Sequence, residues 1–165
     1  MSKPLHFRGV AHPPPSKSRS NIADLSRAEI STTNLGKSGG TSLLVEHDFT
    51  SNVGHVNASW EGKDGSLRVS GTVTDPDAIA MVRKGDMRGL SLGTSVIQDE
   101  SGNALLRSQD ELSLCAEPRR GGCYIDTLDG KSVRTVECFS NANRTRIYAT
   151  SHFISRALPA ILVLL

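Results

Sequence analysis

The stretch Val53–Val73, VGHVNASWEGKDGSLRVSGTV, decides how this chain is read. Val53 to Trp60 has strand character, Lys63-Asp64-Gly65 supplies a hairpin turn, and Leu67, Val69, Gly71 and Val73 then recur with period two. Two strands joined by a tight turn are expected, and the pattern continues on both sides. Leu43 to Val45 precedes them as a further strand. After them, Thr74-Asp75-Pro76 offers a capping residue and a first-turn proline, and Ile79, Met81 and Val82 follow at helical spacing until Gly85 provides a left-handed cap. Strand character resumes over Leu90 to Ile97, and Asp99 to Asn103 turns. Leu112 to Cys115 and Cys123 to Ile125, on either side of a Pro118-Arg119-Arg120-Gly121 loop, bring the count to at least six strands. The expected class is mainly β, a meander interrupted by one short helix.

The flanks are less regular. Pro13 to Pro15, a Ser/Lys/Arg stretch and Gly36 to Gly40 bracket a possible short helix around Ile22 to Ile30, and from Asp126 onward no pattern is clear. Three zones follow: residues 1–41, an N-terminal strand and irregular loop region; 42–125, the core; and 126–165, a divergent C-terminal region. With 165 residues and 37% hydrophobic side chains, a single domain with a modest core is expected. The 19 Lys and Arg nearly balance 17 Asp and Glu, so no basic field invites nucleic acid. Cys115, Cys123 and Cys138 are odd in number and form no CxxC pair, which fits free thiols in a reducing compartment. Met1 to Val10 lacks the apolar run of a signal peptide, so the sequons at Asn57 and Asn143 are read as chance. Ala157 to Leu165 is apolar, but too short to span a bilayer and interrupted by Pro159, so no membrane partner is expected and packing on protein is.

Three constellations bear on chemistry. Gly36-Lys37-Ser38 ends like a phosphate loop, but Ser31 stands where that motif needs its first glycine, and no strand precedes it. A flexible linker accounts for it better. His47, Asp48 and His55 are good metal-ligand types, yet their spacing matches no familiar closed site, so no metal is expected, and the nucleophilic hydrolysis open to the third set needs no organic cofactor. The third set is His47 at the end of a strand, Ser91 within Gly89-Leu90-Ser91-Leu92-Gly93, and Glu111 opening Glu111-Leu112-Ser113-Leu114-Cys115. A base, a hydroxyl and an acid on separate segments are what nucleophilic hydrolysis requires, because serine is a weak nucleophile until an oriented imidazole takes its proton. Spacing alone leaves open whether the three meet.

At these residues the chain resembles a known family. Val45-Glu46-His47-Asp48-Phe49-Thr50-Ser51-Asn52-Val53-Gly54-His55-Val56 resembles the segment of the herpesvirus assemblins, the capsid maturation proteases, that carries their catalytic histidine. Gly89-Leu90-Ser91-Leu92 is similar to their nucleophile segment, and Leu114-Cys115-Ala116 with Arg119-Arg120-Gly121 to the stretch ending in the paired arginines of their oxyanion site. A weaker echo of their first strand falls at Phe7-Arg8-Gly9-Val10. Tailed-phage prohead proteases, relatives of assemblin, are similar over Asp75-Pro76-Asp77 through Gly93, and their Glu-x-Ser strand followed by proline resembles Glu111 to Pro118. Together the two cover roughly His47 to Ile125, about half the chain.

The resemblance implies a compact β-barrel with a few peripheral helices and a viral serine endopeptidase that cuts the capsid scaffold protein during maturation, between Ala and Ser. It also implies His47 as base and then acid, Ser91 as nucleophile, and the Arg119 backbone with Arg120 at the oxyanion. Assemblins place a second histidine where this chain has Glu111; the phage relatives often carry an acid there, and a carboxylate can orient the imidazole, the alternative being a solvated glutamate at a strand end. Assemblins act as homodimers, but their helical dimer region finds no clear counterpart after Ile125, and their gene product usually continues into a scaffold domain that this chain lacks. The expected location is the assembling capsid inside the host cell, in the nucleus if herpesvirus-like and the cytoplasm if phage-like. Val56-Asn57-Ala58-Ser59 matches the cleavage pattern by chance, inside a strand. Two further classes compete: a catalytically silent capsid- or scaffold-binding homologue, and an unrelated small β-barrel binding protein.

Overall fold

The computed structural model describes residues 2–15, 24–33, 35–36 and 40–133. The chain divides into two units, Met1–Thr135 and Val136–Leu165, and the described residues all belong to the first. Lys37, Ser38, Cys138, Asn143, the tail Ala157 to Leu165 and the start of the expected helix at Ile22 lie outside the described residues.

Among the described residues eight strands form one sheet: β1 (Leu5–His12), β2 (Thr41–Val45), β3 (Asp48–Glu61), β4 (Leu67–Val73), β5 (Gly89–Gln98), β6 (Ala104–Cys115), β7 (Ile125–Leu128) and β8 (Lys131–Ser132). Their spatial order is β5-β6-β2-β3-β4-β1-β7-β8. The two sides of this sheet turn toward one another without closing into a full ladder. Gly89 bridges Tyr124, Leu90 N donates to Cys123 O at 2.8 Å, and Ile125 N donates to Arg88 O at 2.9 Å. The result is mainly β, as the strand pattern implied, and barrel-like without full closure, as the family resemblance implied.

The hairpin at the centre of the sequence forms as expected. Gly62 and Ser66 close it with a 2.8 Å backbone bond, Asp64 Oδ1 accepts from Ser66 N at 3.1 Å, and Leu67, Val69 and Val73 are buried on one face. Gly71 interrupts that apolar face because the Phe7 ring occupies its place; a Cβ there would stand 2.5 Å from two ring carbons. Helix α2 (Pro76–Lys84) starts at Asp75, whose carboxylate accepts from Asp77 N and Ala78 N, and ends at Gly85 with φ 98°.

Four elements differ from expectation. The first helix, α1, spans Arg27–Thr32 rather than Ile22 to Ile30, because Ser26 and Glu29 form a capping box that sets its start. Strand β3 begins at Asp48 instead of Val53, and β6 at Ala104 instead of Leu112. These added portions are mostly exposed, so no buried alternation marks them; ladder bonds to β2 and β5 impose their extended backbone. Cys123 and Tyr124 approach β5 only through a bridge, and β7 itself begins at Ile125 and continues through Leu128 to pair with β1. Leu43, Leu67, Leu90, Leu112, Leu114 and Ile125, all at most 1% exposed, join both parts of the sheet into one core. No helix among the described residues is long and apolar enough to cross a membrane.

Candidate active site

The site lies where β2, β5 and β6 meet. Strands β5 and β6 are antiparallel, with Ser91 opposite Ser113 and Gly93 opposite Glu111. Opposite residues and those two apart share a face, so Ser91, Gly93, Glu111 and Ser113 line a single patch. One residue beyond Glu111 the register slips, leaving Asp110 as an extra residue between the pairs Gly93–Glu111 and Thr94–Gln109. Such bulges re-aim neighbouring side chains and are common beside active sites.

On the other side of β6 runs β2, parallel to it, with Leu43 opposite Leu112 and Val45 opposite Leu114. Glu46 N extends this ladder by donating to Leu114 O at 3.0 Å. The chain then reverses between paired residues Val45 and Asp48, so Glu46 and His47 form a two-residue hairpin loop with φ of 48° and 61°. Tight hairpins of this kind need positive φ at both central residues, and Asn and Gly normally supply it. Neither Glu nor His favours it, at a cost on the order of 1–3 kcal/mol per residue. The loop is held by specific bonds: Ala116 N donates to Glu46 Oε1 at 3.0 Å, and His47 N donates to the Ser113 hydroxyl at 3.0 Å.

This loop aims the imidazole across the end of β6. His47 Nδ1 bonds Glu111 Oε1, and His47 Nε2 lies 2.8 Å from Ser91 Oγ. The three side chains singled out in the sequence therefore form one continuous relay, although 64 residues separate His47 from Glu111 and 44 separate it from Ser91. With Glu111 ionised and accepting at Nδ1–H, the neutral imidazole presents Nε2 as an acceptor to the serine hydroxyl. Burial is uneven along the relay: the Glu111 side chain is 4% exposed and Ser91 is buried as well, while the His47 side chain between them is 43% exposed. The acid is thus shielded from water, and the base faces solvent.

Two supporting residues were not assigned roles in the sequence. A Cβ at Gly93 would collide with the Glu111 carboxylate, so glycine leaves the space the acid occupies. Gly93→Ala is expected to displace Glu111 and lower kcat about 10²-fold, since misplacing a reacting array by about 1 Å costs that much. A peptide-cleavage assay alongside thermal melting measures it; wild-type kcat would show that the carboxylate tolerates the methyl group. The second is Ser113, fully buried, whose hydroxyl donates to Glu111 Oε2 at 2.8 Å. It sits in the Glu-x-Ser pattern, where the two-residue spacing was the available sign that both side chains share a face.

The Arg119-Arg120 segment follows β6 in a bend, with Arg119 exposed and Arg120 partly buried. Its preceding residue Pro118 is buried against β5: a Cβ at Gly89 would meet Pro118 Cδ at 2.9 Å and Cys115 O at 2.7 Å. Gly89 lies two residues before Ser91, so the arginine loop is anchored to the strand that carries the hydroxyl. Arg119 is exposed, while Arg120 Nε donates to Asp24 Oδ1 at 2.9 Å, a partner 96 residues away that no motif indicated. Next to Asp24, Leu25 N donates to His12 Nε2 at 3.1 Å and His12 Nδ1 bonds Pro13 O at 2.7 Å. Burial holds His12 below the ordinary imidazole range, which matches its neutral, acceptor role there.

Among the described residues the two thiols, Cys115 and Cys123, offer no competing nucleophile. Burial, reinforced by the Glu46 carboxylate, pushes the Cys115 thiol up, and burial pushes Cys123 up to about 12, so neither supplies thiolate at neutral pH. His47 is engaged in the relay, and Asp48 Oδ1 accepts from Thr50 N and its hydroxyl at 2.9 and 2.7 Å. Among the described residues no group of three His, Cys, Asp or Glu is placed to hold a metal ion.

Comparison with solved structures assigns the fold to the class seen in the herpesvirus proteases. The Kaposi's sarcoma-associated herpesvirus protease, in a complex with a hexapeptide phosphonate inhibitor, superimposes with a TM-score of 0.59 at 17% identity, covering 89% of this chain and 75% of that one. Varicella-zoster virus protease gives 0.54 at 16% identity, again covering 89% and 75%. The Kaposi's sarcoma-associated herpesvirus protease bound to a dimer disruptor gives 0.52 at 16% identity, covering 89% of this chain and 88% of that one. No protein-family model and no curated protein sequence matches the chain.

Proposed function

We propose that this protein is a viral serine endopeptidase that cuts a capsid scaffold protein during capsid maturation. The observation that carries the proposal is the unbroken relay from Glu111 through both nitrogens of His47 to the Ser91 hydroxyl. In this mechanism Ser91 Oγ attacks a peptide carbonyl while His47 Nε2 takes its proton, and Glu111 stabilises the imidazolium so formed. His47 then returns the proton to the leaving amine, and water repeats the sequence on the acyl-enzyme. The backbone N–H of Arg119 serves as donor to the tetrahedral oxyanion, with Arg120 contributing a further N–H or holding a water there. The peptide class of substrate is supported by the likeness to a herpesvirus protease whose structure holds a hexapeptide phosphonate inhibitor. Cleavage between Ala and Ser follows from the assemblin resemblance.

A fluorophosphonate probe tests the chemistry directly. The folded, concentrated protein is expected to be labelled at Ser91, as an activated serine is. A chain that stays unlabelled would instead be a silent scaffold-binding homologue or an unrelated barrel. A homodimer is also proposed, supported by the similar fold of a protease crystallised with a dimer disruptor. Specific activity should therefore rise with enzyme concentration across a dilution series. Flat specific activity together with a monomer in sedimentation would remove the dimer.

A further inference from the structure

We infer that Ser113 is a positioning residue that locks the acid and the base of the relay into one geometry, an inference that rests on the hydrolytic reading of His47 and Ser91. Its hydroxyl has one proton to give and lone pairs to receive, and both capacities are used. The proton goes to Glu111 Oε2 at 2.8 Å, the oxygen not occupied by His47; a lone pair receives the His47 backbone N–H at 3.0 Å. One buried atom therefore ties the carboxylate to the main chain that carries the imidazole.

Two features of the structure make that tie necessary. His47 sits in a hairpin loop with positive φ at both of its residues, a backbone that persists only where the surroundings over-determine it. Glu111 is buried in the space left open by Gly93, and the terminal torsion of its carboxylate has only a broad preference of its own, so a bond to the second oxygen fixes which way the first one faces. Ser113 answers both, from the position directly opposite Ser91 in the β5–β6 ladder. The charged groups facing this hydroxyl are Glu111 from its own strand and His47 from the β2–β3 loop; the Glu46 carboxylate beside them is engaged by Ala116 N.

The test uses Ser113→Ala and Ser113→Thr in the full chain. Ser113→Ala is expected to lower kcat roughly 10- to 100-fold with KM nearly unchanged, because orientation rather than substrate binding is lost. It should also move the acidic limb of kcat/KM to higher pH, because a carboxylate that has lost its donor binds a proton more readily. Ser113→Thr keeps the hydroxyl and should recover most of the activity and the original limb. Wild-type kcat and an unmoved limb in Ser113→Ala would overturn the inference, as would equal losses in both variants with an unmoved limb. Labelling of Ser91 by the fluorophosphonate in wild type separates the two failures: with labelling intact, an unaffected Ser113→Ala condemns only the role of Ser113. If wild type is neither labelled nor active, the hydrolytic reading fails, and histidine NMR decides the role of Ser113 without turnover. The His47–Glu111 pair of the folded Ser113→Ala protein should then take up its first proton at higher pH than in wild type, and an identical titration would overturn it.

Discussion

Ser91→Ala is expected to abolish peptide cleavage and fluorophosphonate labelling together, with a loss in kcat on the order of 10⁶, the scale seen when the nucleophile of a serine triad is removed. The fold should survive. Ser91 loses one oxygen whose hydrogen bond in the structure is to His47 Nε2, and its neighbours Leu90 and Leu92 keep the packing of β5. Ser95, on the same strand, is the control. Its hydroxyl bonds Asp110 in an exposed part of the hairpin, away from His47, so Ser95→Ala should turn over like wild type. A Ser91→Ala enzyme that retained turnover while Ser95→Ala lost it would exclude Ser91 as the nucleophile.

Glu111→Gln should be the next most damaging change, with a loss on the order of 10⁴ in turnover, as for other triad carboxylates made neutral without loss of shape. Gln fits the space beside Gly93 and can still accept from Ser113, so the loss isolates charge and tautomer control from packing. The sign of the pH effect follows from electrostatics. An anion beside the ring favours the imidazolium, so removing it makes His47 harder to protonate, and the acidic limb of kcat/KM moves to lower pH. This is opposite in direction to the shift expected of Ser113→Ala. Glu111→His, which installs the residue that assemblins use, should retain more activity than Glu111→Ala. Measured profiles of kcat/KM against pH decide the matter: near-wild-type activity in both Glu111→Gln and Glu111→Ala would show that another group orients His47.

Much of the central fold was readable in the order of residues because its signals are local. The turn at Lys63-Asp64-Gly65, the alternation from Leu67 to Val73 and the Asp75 cap of α2 each depend on neighbours within a few positions, and each formed as expected. The first helix differs from the expected Ile22 to Ile30 although the signal that sets its start, the capping box of Ser26 with Glu29, is local too. The outer half of the β5–β6 hairpin carried no such signal: none of its β6 residues from Ala104 to Asp110 is buried, Leu105 and Leu106 included, and pairing rather than burial makes them a strand.

By itself, then, the sequence determined which residue types stand on which segments: an imidazole after β2, a hydroxyl within β5, and a carboxylate with a serine two residues later on β6. Only the tertiary structure decided that they meet. Strand register and the parallel pairing of β2 with β6 are set by backbone hydrogen bonds between distant segments and by a shared core, and neither leaves a mark at the positions concerned. The same holds for the space at Gly93 that the Glu111 carboxylate fills, the two hydrogen bonds of the Ser113 hydroxyl and the Asp24–Arg120 pair, since each is defined by what another part of the chain places beside it.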